Sequence, residues 1–336
     1  MTRLWFNTLD DGETQLYLCF GVNYPSYFYQ QDAMMPNPIL TAFFVTFATA
    51  LAGCSALTGS SSQPQSIEYK TTSDGQALEV ELLPAVNHQT QGPLVVWVNN
   101  ESQYLQSTGE ALDFSPLFDA LTQQGYPIAK VDYRYGYDAL FPIPVVDVND
   151  AINHVLKQAK TLGIDREKVV LMGAGSGAYL ASLLTTANND PDASFFLAGK
   201  APRYQVVAAV DYYGVMDLPS LKGRSEKVDF DAPNSEQAQL LGVSPRLNPE
   251  LAKQASVTHY LDWHTPPMMI LHGDKDQVVP VSQSQLFSAL LSKNGVVHRS
   301  IYIEGAGHHD PAFVSDEYID KVGQFLSQYA PLSVTK

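Results

Sequence analysis

Cysteine is almost absent from this 336-residue chain: Cys19 and Cys54 are the only two, both within the first 54 positions. From Ser55 onward there is none, which excludes a disulfide, a zinc–thiolate site and a cysteine nucleophile from that stretch. Basic residues are scarce, 20 Lys and Arg against 35 Asp and Glu, for a formal net charge of -15. No block of Lys or Arg occurs, and gripping a phosphate backbone needs one, so the composition argues against a nucleic-acid partner. A His-Glu-x-x-His pattern is also missing, and the adjacent His308 and His309 are poorly spaced for joint ligation from one helix face, so no metal site is expected. The uncharged apolar run from Ile39 to Ala52 falls short of the roughly 20 residues a membrane-spanning helix needs.

That run does suit the hydrophobic core of an export signal. It ends in Leu51-Ala52-Gly53-Cys54, followed by Ser55-Ala56 and a Ser-, Gly-, Gln- and Pro-containing stretch to Ser66. The arrangement resembles the bacterial lipoprotein signal, in which the chain is cut before a cysteine that is then acylated. The resemblance implies a signal peptide over 1–53, a lipidated Cys54 with a flexible tether over 54–66, and a lipid bilayer as partner. Ser55 resembles the residue that permits outer-membrane sorting, so the expected location is exported and anchored, at the outer membrane. A signal starting at Met34 or Met35 would carry no Lys or Arg before its apolar run, and 33 residues precede Met34. The expectation is a start codon assigned too far upstream.

Apolar residues make up 45% of the chain, enough for a sizeable core. After the tether, strands and helices alternate. Ser66–Thr71 and Ala77–Leu83 read as a hairpin around Asp74-Gly75. Strands are expected at Leu94–Val98, Ile128–Tyr133, Val169–Met172, Val206–Asp211, Met268–His272 and Arg299–Ile303. Helices are expected at Ser115–Gln124, Val145–Leu162, Ala178–Ala187, Pro280–Ser292 and Ala312–Tyr329. Continuous apolar runs such as Leu94–Val98 suit strands covered on both faces, and the alternation predicts an α/β fold, mainly a parallel sheet with helices on both sides, over 67–336. Between Gly214 and Thr265 the pattern lapses into polar, Gly- and Pro-containing sequence, which predicts a cap insertion over about 214–265.

The stretch from Val169 to Ala178 (VVLMGAGSGA) is a strand running into small residues and then a helix, the context of a nucleophile elbow. With it stand Val131-Asp132-Tyr133-Arg134, Phe141-Pro142 and Asp147, Leu240-Leu241-Gly242, His272-Gly273-Asp274-Lys275-Asp276, and Gly305-Ala306-Gly307-His308. In this order they resemble the α/β-hydrolase superfamily, and within it the hormone-sensitive-lipase-like and feruloyl-esterase-like carboxylesterases. The resemblance implies an acid at Asp276 and a general base at His308, the carboxylate fixing the imidazole tautomer and stabilising its charge. It implies small carboxylic esters as ligands and no cofactor.

The resemblance also exposes two departures. The family writes Gly-x-Ser-x-Gly, and the ungapped register puts Gly175 where the serine belongs, with Ser176 one residue late. A second register, Ala174-x-Ser176-x-Ala178, would make Ser176 the nucleophile but needs the turn to shift by one residue. After Leu94–Val98 the family has His-Gly-Gly, where this chain has Asn99-Asn100-Glu101. Side chains stand where glycines let amides approach an oxyanion, and Glu101 adds a negative charge. Asn99, Asn100 and Ser176 are the residues that could serve as oxyanion donors. Three readings follow: an envelope esterase using Ser176, His308 and Asp276; a hydrolase-fold pseudoenzyme that binds a ligand without turnover; and a structural lipoprotein with its pocket closed by the insertion. The aromatic residues Tyr133, Tyr135, Tyr137 and Phe141 suggest an apolar wall or ordinary loop packing.

Overall fold

The computed structural model describes residues 4–8, 14–18, 63–86, 90–101, 108–136, 139–188, 202–223 and 225–334. The chain divides into two units, Met1–Leu57 and Thr58–Lys336. In the first, β1 (Leu4–Thr8) and β2 (Thr14–Leu18) pair antiparallel. The apolar run at 39–52, Cys54 and the tether through residue 62 lie outside the described residues.

The second unit is built on one sheet. The hairpin β3 (Gln65–Thr71) and β4 (Ala77–Leu83) turns through Gly75 at φ 87°, a backbone conformation that glycine adopts without strain. The strands β5 (Thr90–Val98), β6 (Ile128–Val131), β7 (Ile164–Ala174), β8 (Gln205–Tyr212), β9 (Met268–Gly273) and β10 (His298–Ile303) follow. Their order is β10-β9-β8-β7-β5-β6-β4-β3, with every pair from β10 to β6 parallel. Only the β6–β4 and β4–β3 pairs on that path are antiparallel. A short β11 (Ser333–Val334) adds to β5 beside Thr90 and Gln91.

Strand alternation sorts the central apolar runs into two layers. Leu94, Val96, Val98, Val169 and Leu171 face one layer, with Val148 and Ile152 of the helix Ile143–Val155 and Leu183 and Leu184 of the helix Ser176–Ala187. Val95, Trp97, Val170 and Met172 face the other, with Leu117 and Leu121 of the helix Ser115–Gln124 and Val322 and Leu326 of the helix Asp316–Tyr329. Each such side chain contributes about 1.5–3 kcal/mol on burial, which makes the doubly covered sheet the stable arrangement. The fold is the α/β class expected, mostly parallel and helix-covered.

Three expected elements are shorter or broken. The strand expected over Ile128–Tyr133 ends at Val131, and the Asp132 carbonyl beyond it accepts from the Tyr69 hydroxyl at 2.7 Å rather than from a neighbouring strand. The helix expected over Val145–Leu162 gives way to a 3-10 turn at Leu156–Gln158 before a last turn at Ala159–Leu162. Three residues per turn align Leu156 with Ala159, and both are buried. The helix expected over Ala312–Tyr329 is also two pieces. Asp310 accepts from Ala312 N at 2.9 Å to cap the turn Pro311–Val314, and an extended Ser315 starts the helix Asp316–Tyr329.

The segment 214–265 is more ordered than its pattern suggests. It forms the helices Glu236–Leu241, Pro249–Gln254 and Val257–Tyr260, the first two capped by the side chains of Ser235 and Asn248. Leu218, Leu221, Phe230, Leu241, Ala252 and Ala255 make a buried cluster of its own, and Phe141 packs against both this cluster and the main core. Arg134 Nε and Nη2 lie 2.7 Å from Oδ2 and Oδ1, respectively, of the buried Asp147, and Lys70 also reaches Oδ1 at 2.7 Å. That pairing fixes the chain leaving β6.

Candidate functional site

The C-terminal ends of β5, β7 and β8 converge on one turn. Strand β7 ends at Ala174, and Gly175 follows with φ 55° and ψ -118°, the left-handed side that glycine tolerates. Its N–H donates to Tyr212 O at 3.0 Å, and its carbonyl accepts from Tyr179 N at 3.0 Å to open the helix Ser176–Ala187. The helix start presses against the end of β5. A methyl group on Gly177 would sit 2.1 Å from Val98 O and 2.7 Å from Asn99 O.

Ser176 is committed to a hydrogen-bonded chain. Its Oγ lies 2.8 Å from Asn100 Oδ1, an atom that can only accept, so the Ser176 hydroxyl proton is spent there. Tyr133 Oη, 3.0 Å from Ser176 Oγ, is then the donor to it, and Tyr133 itself accepts from Glu101 N at 3.3 Å. Ser176 N–H also points at Asn100 Oδ1, at 3.4 Å. Burial pushes the Tyr133 phenol well above its ordinary range, so it keeps its proton. Glu101 is raised as well, by burial first and then by Asp132.

Asn99 and Asn100 diverge. Asn99 Nδ2 donates to Asp132 Oδ1 at 2.6 Å, and Asn99 is absent from the described cavity wall. Asn100 lines the cavity, with its carbonyl oxygen on Ser176 and its Nδ2 3.0 Å from where a Cβ on Gly175 would stand.

Asp276 and His308 meet. His308 Nδ1 lies 2.7 Å from Asp276 Oδ2, and the carboxylate has no exposed surface while the imidazole keeps 9%. Asp276 Oδ1 accepts from Val278 N at 2.8 Å and Val279 N at 2.9 Å. Burial alone would raise the acid. The bonds from His272 and His308 outweigh it and hold Asp276 well below the usual carboxylate range. An ionised Asp276 fixes the proton on His308 Nδ1 and leaves the lone pair on Nε2, the tautomer of a base or acceptor.

Behind the pair stands a second buried layer. His272 Nε2 is 3.2 Å from Asp276 Oδ2 and 3.0 Å from Val279 O, and its Nδ1 is 2.7 Å from Ser284 Oγ. Asp211, fully buried at the end of β8, accepts from Ser182 Oγ at 2.9 Å and Gly214 N at 3.0 Å. Burial pushes it up to about 6. The ring of Tyr213 packs 4.5 Å from His308, on a backbone at φ 46°, and burial lowers His309 to about 4, with His308 next in effect. Of these, His272 belongs to a motif quoted from the sequence but without a role. Asp211 gave a readable signal, a lone acid ending an apolar strand. Tyr133 enters through its hydroxyl rather than as apolar wall, and no one-dimensional pattern could have paired it with Ser176.

A cavity of about 590 Å³ joins these groups. Asn100, Tyr133, Tyr135, Gly175, Ser176 and His308 line it on the sheet side, and Val228, Phe230 and Glu236 on the cap side. Tyr137 lies outside the described residues, and Phe141 packs into the cores.

Comparison with known proteins agrees with this fold. The BD-FAE family profile matches residues 81–291, more than half of the 336. Esterase LipQ of Mycobacterium tuberculosis is 32% identical over 196 residues, 58% of this chain and 45% of that protein. An acetylxylan esterase of Xylanibacter ruminicola is 25% identical over 280 residues, 81% of this chain and 52% of that protein. The chain thus spans about half the length of these curated relatives. A truncated carbohydrate esterase from gut microbiota superposes with a TM-score of 0.64 at 22% identity, over 79% of this chain and 96% of that one. The parallel sheet, the strand–turn–helix at Gly175 and the matched profile together make this chain a member of the BD-FAE family of α/β-hydrolase carboxylesterases.

Proposed function

We propose that this protein binds small carboxylic esters, or ligands shaped like them, in an esterase pocket that has lost its nucleophile. The observation that carries the reading is the apex of the turn: Gly175 occupies it at φ 55°, while the neighbouring Ser176 hydroxyl donates to Asn100 Oδ1. The acid–base pair of Asp276 and His308 remains, while the Ser176 hydroxyl in the same cavity is spent on Asn100. The open cavity of about 590 Å³ favours ligand binding over a purely structural role. The names of the relatives above suggest acylated carbohydrates and short-chain esters as the compounds to try first.

The test combines a fluorophosphonate probe, a p-nitrophenyl ester and a melting curve. The wild type is expected to show no labelling and no hydrolysis above buffer, while a saturating short-chain ester raises its melting temperature. Strong labelling and hydrolysis that both vanish in Ser176→Ala would overturn the reading. That outcome would establish a second one, a serine-type esterase using Ser176. Its support is that Ser176 and His308 line the same cavity.

The proposal includes location. Leu51-Ala52-Gly53-Cys54 supports lipidation of Cys54 and anchoring to the outer-membrane bilayer. Cells fed labelled palmitate should label the wild type and not Cys54→Ser, and label in the variant would sink the anchor.

A further inference from the structure

Resting on that reading, we infer that Asn100 is a second lock on the site, an internal occupant of the place where an esterase would hold the substrate oxygen. In a strand–turn–helix site of this kind, the N–H of the residue after the apex and an N–H from the loop after a neighbouring strand form the oxyanion hole. Here those groups are Ser176 N–H and, after β5, Glu101 N–H. Both already face internal acceptors: Ser176 N–H points at Asn100 Oδ1 at 3.4 Å, and Glu101 N–H donates to Tyr133 Oη at 3.3 Å.

The same carboxamide also crowds the apex. A Cβ on Gly175 would meet Asn100 Nδ2 at 3.0 Å, Oδ1 at 3.2 Å and Cγ at 3.3 Å. The carboxamide cannot swing aside without cost, because its oxygen holds both the N–H and the hydroxyl of Ser176. Ser176 is held in turn by Tyr133. An N–H needs an acceptor, so the oxygen is the atom turned to Ser176, and the nitrogen is the carboxamide atom nearest the Gly175 apex. Glycine at the apex and asparagine in the loop are therefore one matched change. The bare apex leaves room for the carboxamide that fills the hole.

The consequence is that restoring the hydroxyl alone does not restore the site. A serine at 175 would meet a blocked apex, and the oxyanion formed on it would find its donors engaged. Four proteins test this: wild type, Asn100→Gly, Gly175→Ser and the double variant. Asn100→Ala serves in place of Asn100→Gly if the latter melts below the wild type. The readouts are the rate of fluorophosphonate labelling and hydrolysis of p-nitrophenyl acetate, with melting temperatures confirming that each protein is folded.

Wild type and Asn100→Gly should stay unlabelled, Gly175→Ser should label slowly, and the double variant about 10²-fold faster, the effect of regaining one oxyanion donor. If Gly175→Ser alone labels as fast as the double variant, the lock is refuted while the missing nucleophile stands. A folded double variant that never labels also refutes it. Labelling of the wild type that disappears in Ser176→Ala would instead bring down the reading beneath it.

Discussion

His272 places Nε2 3.2 Å from Asp276 Oδ2, the same oxygen that His308 holds at 2.7 Å. One buried carboxylate oxygen thus faces two imidazoles, and its twin accepts two backbone N–H groups. Four partners explain why a carboxylate with no exposed surface stays ionised: each stabilises the charged form that burial opposes.

Asp276 should therefore contribute pH-dependent stability. Its folded-state pKa lies below its unfolded value, so the unfolded chain takes up the proton first. The contribution is complete above the unfolded pKa of about 4 and disappears as pH falls toward the folded value. Denaturant melts of wild type and Asp276→Asn from pH 3 to 7 should show a stability gap that opens through about pH 4 and levels above it. A gap that does not change with pH would refute this.

Asp211 should act with the opposite sign. Burial raises it to about 6, above its unfolded value, so its contribution is intact at low pH and is lost as pH rises through about 6. Asp211→Asn keeps a similar shape without the charge. It should gain on the wild type between pH 4.5 and 7.5, by about 2 kcal/mol for a shift of this size. Melts at the two pH values measure it, and an Asn variant that loses ground toward pH 7.5 would contradict the assignment.

Gly177 and Gly75 separate steric from conformational demands on glycine. Gly177 faces the carbonyls of Val98 and Asn99 at 2.1 and 2.7 Å from its missing methyl, so Gly177→Ala must push two elements of the core apart. It should cost about 3 kcal/mol or more. Gly75, at φ 87° with nothing near its missing methyl, should cost about 1–2 kcal/mol as alanine. Equal losses in urea melts would show that the helix start is not tightly packed on β5.

The sheet was legible because buried parallel strands leave continuous apolar runs, and Leu94–Val98 and Val169–Met172 have few other uses for so many branched side chains. Element ends were less legible. The break at Leu156 depends on which tertiary surface Leu156 and Ala159 share, and the turn at Ser315 on Asp310 capping a separate turn before it. The cap helices escaped notice because each spans at most six residues, too short for a helical period to emerge. In the site, Asp276 and His308 were readable from motifs and meet as expected of such a pair. The partnership of Asn100 with Ser176 was not. It joins residues 76 apart in sequence, and it inverts the donor expected of Asn100 into an acceptor.

The cavity draws its wall from Asn100 on one loop, Gly175 and Ser176 on a helix start, the cap, and His308 after the last parallel strand. These pieces come together only when the central strands are in register. Ligand occupancy is therefore a report on assembly. A fragment that ends before His308 lacks one wall of the cavity and should bind the ester more weakly than the full chain.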